Sequence, residues 1–123
     1  MLHTNLVAVR KITTETNLSV EGKKKAQQLS ELMETAGGSV QPLILVAINP
    51  NEFKLAVMAD EQVLILEAAR MLRERNLRAG EMINAYLVNT IDSYRPEILD
   101  MARLIYPDAM IVPIEKVPNF QAV

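Results

Sequence analysis

Ala59-Asp60-Glu61-Gln62 follows a strand-like FKLAVM and opens a helical pattern, VLILEAAR. Many small α/β domains keep a phosphate or catalytic loop at such a junction, because a helix N-terminus offers unpaired N–H groups and the positive end of a dipole. Such loops usually use glycine and a basic side chain, and this one has neither. Asp60 and Glu61 form a carboxylate pair of the type that serves acid–base or metal chemistry. Glu52 and Lys54, in the preceding strand, are the further carboxylate and lysine that a metal-dependent nuclease would want. A helix start explains the same residues more simply: Asp60 as N-cap, with both acids suited to the dipole. On that reading the junction holds no catalytic residue and no metal.

Two basic groups are candidate contacts for an anion or a partner. Lys23-Lys24-Lys25 lies in the first turns of a helix, where each lysine opposes the dipole by about 0.3 kcal/mol. A solvated face tolerates this, and an anionic partner, nucleic acid or an acidic protein surface, would reward it. Arg10 and Lys11 extend the patch if the first strand ends nearby. Arg70 and Arg73, with Arg75 and Arg78, spread around more than one face of a later helix, and Glu74 is spaced to pair with Arg70 or Arg78. His3 is the only histidine and cysteine is absent. A histidine triad, a multi-histidine metal site, a thiolate nucleophile and a disulfide are therefore excluded, and no cofactor is expected. The aromatic residues are too scattered to form a base-stacking platform.

The elements that must position these residues follow from periodicity. NLVAVR, residues 5–10, alternates as a short strand, with Val7 and Val9 on one face. Ser19 N-caps a helix running to about Ala36, whose apolar stripe is Ala26, Leu29, Leu32, Met33 and Ala36; Gly37-Gly38 ends it. Residues 40–48, VQPLILVAI, read as a strand covered on both faces, with regular pairing starting after Pro42. Asn49-Pro50-Asn51 turns the chain into a second strand over 53–58, a hairpin. A helix over about 61–76 buries Ile65, Ala68, Ala69 and Leu72. A strand over 81–89 follows the loop closed by Gly80. A third helix starts at Asp92 or Ser93, has Pro96 in its first turn and buries Ile98, Met101, Ala102 and Ile105. Residues 109–115 form a last strand, with Pro113 marking an edge position. The order β-α-β-β-α-β-α-β is a small mixed α/β domain.

Size and composition agree with one domain over residues 1–123. A chain of this length buries roughly two thirds of its unfolded surface, and 50% apolar with 23% charged residues is ordinary for a folded protein. No apolar run reaches the about 18 residues of a membrane helix, and the N-terminus has no signal-peptide order of regions, so a cytoplasmic protein without a membrane partner is expected. The formal net charge of −2 gives no general attraction for phosphates, so nucleic acid is not the favoured partner.

The order, with three stretches in it, resembles the N-terminal domain of ParB-like chromosome-partitioning proteins, the ParB/sulfiredoxin fold. The stretches are KAQQLSELMETAGGSVQPLILV, with its PLIV-type strand Pro42-Leu43-Ile44-Leu45-Val46; FKLAVM running into a helix with Glu67-Ala68-Ala69-Arg70; and MINAYLV after an Arg-Ala-Gly loop. Together they span a core over residues 5–89, leaving 90–123 as a helix-strand extension. In that family a Gly-Glu-Arg-Arg-like or Gly-x-His-Arg-like turn precedes the Ala-Ala helix and binds nucleotide phosphate. Here Ala59-Asp60-Glu61-Gln62 occupies that place, with alanine for glycine and no basic residue before Arg70. The resemblance therefore implies a fold whose CTP site is lost, and without cysteine the sulfiredoxin chemistry is lost too. The helix-turn-helix and dimerisation domains of a ParB protein also have no counterpart in the sequence.

Three functions follow. The leading expectation is a non-catalytic ParB-like binding or regulatory module that contacts an unidentified protein. Its apolar C-terminal edge, Ile111, Val112 and Ile114, would pair with a second copy in a homodimer. The alternatives are a DNA-associated partitioning or nuclease-type protein using the lysine run with Arg70 and Arg73, and a nucleotide-binding enzyme with a variant site at Ala59–Gln62.

Overall fold

The computed structural model describes residues 2–38, 41–90 and 92–111. It is a mixed α/β fold whose elements follow the expected order as far as Ile111. The strands are β1 (Asn5–Ala8), β2 (Leu43–Asn49), β3 (Glu52–Leu55) and β4 (Met82–Leu87), and the helices are α1 (Val20–Ala36), α2 (Asp60–Glu74) and α3 (Pro96–Ile105). The sheet order is β1-β4-β2-β3. β2 runs parallel to β4, while β1–β4 and β2–β3 are antiparallel. The hairpin turn is as the sequence predicts, with the Asn51 N–H donating to Asn49 Oδ1 at 2.8 Å. Residues 112–115 of the expected last strand lie outside the described residues. Ile111 forms an antiparallel bridge to Val57.

Two apolar cores sandwich the sheet, because β2 is apolar at every step from Leu43 to Ala47. Leu43 and Leu45 join Ile83, Ala85 and Leu87 of β4 against α1 and α2. Ile44 and Val46 point the other way, against Ile98, Leu99 and Ala102 of α3. Burying a Leu side chain such as Leu66 stabilises by about 1.5–3 kcal/mol. α1 and α2 lie parallel: their first turns line one cleft, and Arg75 pairs with Glu34 at 3.6 Å near their other ends.

The sheet must curl. β1 lies at one edge, yet Ile12 bridges Phe53 outside the opposite edge strand, β3. Crossing a flat sheet that far requires about 19 Å, four strand spacings. The four residues from Ala8 to Ile12 reach at most about 14 Å, and Val9–Lys11 is shortened further by a 3₁₀ turn. This turn replaces the expected continuation of β1 to Arg10. Val9 and Ile12 fill the first core as the chain crosses.

Several sequence expectations need correction. Ser19 caps α1 and Gly37 ends it at φ 79°. On α1, however, Leu32 and Ala36 face solvent, and Ser30 is buried with Ala26 and Met33. The reason is the neighbour: α2 covers a narrower stripe than the 3–4 spacing alone suggests. Asp60 is the first residue of α2 and not its cap; Ala59 holds the cap position, with no side-chain bond. α3 starts at Pro96, with Arg95 at the cap position, since Thr90–Ser93 closes into its own turn first. Ile105 on α3 is more than half exposed, and Leu99 takes the buried place assigned to it. Gly80 allows the loop before β4 to press on α2, where a Cβ would stand 2.2 Å from the Arg73 nitrogen.

Candidate functional site

The junction at residues 58–62 is built around a gap in the sheet. On the β3 side of β2, the Ala56 N–H donates to the Ile44 carbonyl at 2.8 Å. β3 then departs, since Met58 already bonds to the Met110 carbonyl at 2.9 Å. The Ile44 N–H would be orphaned inside the protein, at a cost of about 1–3 kcal/mol. Gln62 fills the gap from the first turn of α2. Its Oε1 accepts from the Ile44 N–H at 2.8 Å, and its Nε2 donates to the Pro42 carbonyl and to the Tyr106 hydroxyl, each at 3.3 Å. At 1% exposure, Gln62 is a substitute strand rung. It is not a group waiting for a ligand.

The other end of β2 repeats the device on its opposite edge. Beyond the last rung to β4, the Val88 N–H to the Leu45 carbonyl at 2.8 Å, the carboxamide of Asn89 pairs with the whole Ala47 peptide. Oδ1 accepts from the Ala47 N–H at 2.8 Å and Nδ2 donates to its carbonyl at 3.0 Å. On the outer edge of β3, Thr14 Oγ1 accepts from the Leu55 N–H at 2.7 Å. Sequence reading found no role for Asn89 or Thr14. The signal exists for both amides: Asn89 is polar in phase with Ile83, Ala85 and Leu87, and Gln62 is polar in phase with Ile65, Leu66 and Ala69.

Two clefts of about 370 and 270 Å³ flank the junction and share Asp60. The larger lies between the first turns of α1 and α2, with Glu21, Lys25 and Asp60 as its charged lining; Glu61 is exposed beside it. The aligned N-termini of two parallel helices favour negative charge there, and the protein supplies it with its own first-turn acids. A phosphate entering would meet two carboxylates and one lysine. Among the described residues no group of three or more His, Asp or Glu side chains could hold a metal ion.

The basic residues do not form one patch. Lys23, Lys24 and Lys25 are exposed at the start of α1, and none has an ion pair among the described residues. Arg70 and Arg73 lie towards the other end of the α1–α2 pair. Arg10 joins them around a hollow of about 180 Å³, and so does not extend the lysine run. Arg70 is engaged as a strut. Its Nη2 donates to the carbonyls of Ile12 and Thr14, both at 2.8 Å. Its Nη1 reaches Glu67 at 3.3 Å and Thr16 Oγ1 at 3.4 Å, and Thr16 also bonds to Glu67. The expected pairing of Arg70 with Glu74 gives way to this arrangement, because Glu67 lies on the side facing the 12–16 loop. Arg73 remains exposed.

Among the exposed apolar side chains are Leu104 at the end of α3, 84% exposed, and Met110 in the segment that follows, 72% exposed. Among the described residues no helix is long and apolar enough to cross a membrane. No protein-family model and no curated protein sequence matches this chain, so its own residues carry the functional argument.

Proposed function

We propose that the chain is a non-catalytic binding or regulatory module of the ParB/sulfiredoxin-like kind, acting through protein contacts. The observation that carries this reading is the apolar surface at the end of α3, where Leu104, Ile105 and Met110 face solvent. Leu104 and Ile105 close α3 and Met110 lies in the segment just after it, and large exposed apolar surface is typical of contact sites. Gln62 and Arg70, the junction's neutral hydrogen-bonding group and the nearest arginine on α2, are both bonded within the fold, which supports a structural role for the junction. The test is affinity capture from cell extract with wild type and Leu104→Glu side by side. The reading expects a partner retained by wild type and lost by the variant, at unchanged thermal unfolding. Equal capture by both overturns it.

A second reading draws on Lys23, Lys24 and Lys25, three exposed lysines placed against a helix dipole. It treats the chain as a DNA-associated protein. Anisotropy titration with duplex DNA at about 50 mM salt decides it: affinity falling steeply with added salt supports it, and no binding removes it.

A further inference from the structure

The carboxyl ends of the two parallel strands carry a site that the protein-contact reading does not use. β2 ends in the hairpin turn to β3, and β4 leads on towards α3. Beyond the carboxyl ends of parallel strands is a common place for a ligand in α/β sheets. A hollow of about 290 Å³ occupies that position, close to the lower size of small-molecule pockets.

Its walls are specific. Ala47 and Phe53 face each other in the β2–β3 register, and Leu87 stands beside them on the same sheet face. With Pro50 they give the hollow an apolar floor and side. The ladder shifts register between Ala47 and Asn49, and such irregularities bend a strand and re-aim its side chains. Asn89 cannot turn to greet a ligand, because its amide is held on the Ala47 peptide; it makes the floor rigid. The rim carries the charge. Thr90 organises the following turn, its Oγ1 accepting from the N–H groups of Asp92 at 3.3 Å and Ser93 at 3.1 Å. That turn places Asp92 on the lining. Among the described residues no ion pair or side-chain hydrogen bond engages its carboxylate.

We infer that this hollow binds a small amphiphilic cation, with an aromatic or compact apolar body against Phe53, Leu87 and Pro50 and a protonated amine at Asp92. Apolar walls supply the affinity and the rim carboxylate supplies the sign of charge. An anion is disfavoured for the same reason, and among the described residues no basic side chain lines the hollow.

The test uses the whole chain and the probe 2-phenylethylamine, followed by backbone amide chemical shifts, with 2-phenylethanol as the neutral counterpart. The expected result is saturable shifts confined to Ala47, Phe53, Leu87 and Thr90, with a Kd of about 1 mM or tighter. The alcohol should bind about three- to fivefold more weakly, as should the amine to Asp92→Asn, the scale of one exposed charge pair. The comparison of amine and alcohol on wild type decides the matter however the variant behaves. Equal affinities for amine and alcohol, shifts that never saturate, or shifts centred on Lys25 and Asp60 overturn the inference. Ligand-free shifts of these amides with protein concentration also overturn it, since they would make the hollow an interface between copies.

Discussion

The two ends of β2 are finished by the same chemistry and left in different states. At the amino end, Gln62 uses both atoms of its amide to replace the missing rung of β3, and mixed charges rim the clefts beside it. At the carboxyl end, Asn89 replaces a rung of β4, and an apolar hollow opens next to it with Asp92 on its rim, unpaired among the described residues. A strand-to-helix junction attracts attention because phosphate loops use it. Here its polar group is consumed in holding the sheet, and the apolar hollow lies at the opposite end of β2. Position in a fold nominates a site, and the hydrogen-bond accounting decides whether any group is left to act.

Substitutions can break this comparison at either end. Asn89→Ala has the largest expected effect, because it strips partners from both polar groups of the Ala47 peptide; urea unfolding should show a loss of about 4 kcal/mol. Gln62→Leu keeps the volume but orphans the Ile44 N–H, and the same measurement should show about 2–3 kcal/mol. Arg70→Met should cost about 1–2 kcal/mol, with the amides of residues 12–16 exchanging faster while those of β2 keep their protection. Asp60→Asn separates a dipole partner from a structural group and should lower stability by only about 0.3–1 kcal/mol. The smallest effect belongs to Lys24→Glu, which should raise the melting temperature slightly, by the equivalent of about 0.5 kcal/mol, as it replaces an opposed charge with a favoured one near the α1 N-terminus. If Asp60→Asn proved as damaging as Gln62→Leu, the distinction between rim and rung at the junction would collapse.

Much of the fold was legible because its signals are local. Ser19, Gly37, the Asn49-Pro50-Asn51 turn and the apolar run of β2 each act within a few residues, and the structure has them where the pattern predicts. The class, mixed α/β with a hairpin interrupting the alternation, followed from them. What was not legible depends on distant partners. The 3₁₀ turn at Val9 exists because the chain must cross a curled sheet to reach Phe53, and nothing in NLVAVR states that. Leu32 and Ile105 fit their stripes in periodicity, yet lie exposed because the neighbouring elements do not extend over them. Arg70 read as a surface cation until the carbonyls of Ile12 and Thr14, more than fifty residues away in sequence, claimed it. Asn89 and Gln62 were marked by phase alone, a polar residue on an apolar face.

Gln62 and Asn89 act as structural rungs, and hydrogen exchange of side-chain carboxamide protons tests that directly. The NH₂ groups of Gln62 and Asn89 should exchange far more slowly than those of Gln27 and Gln28 on the exposed face of α1, measured in one spectrum on the native protein. Exchange of the Gln62 amide as fast as Gln27 would contradict the account, because it would leave the junction with a free hydrogen-bonding group to offer a ligand.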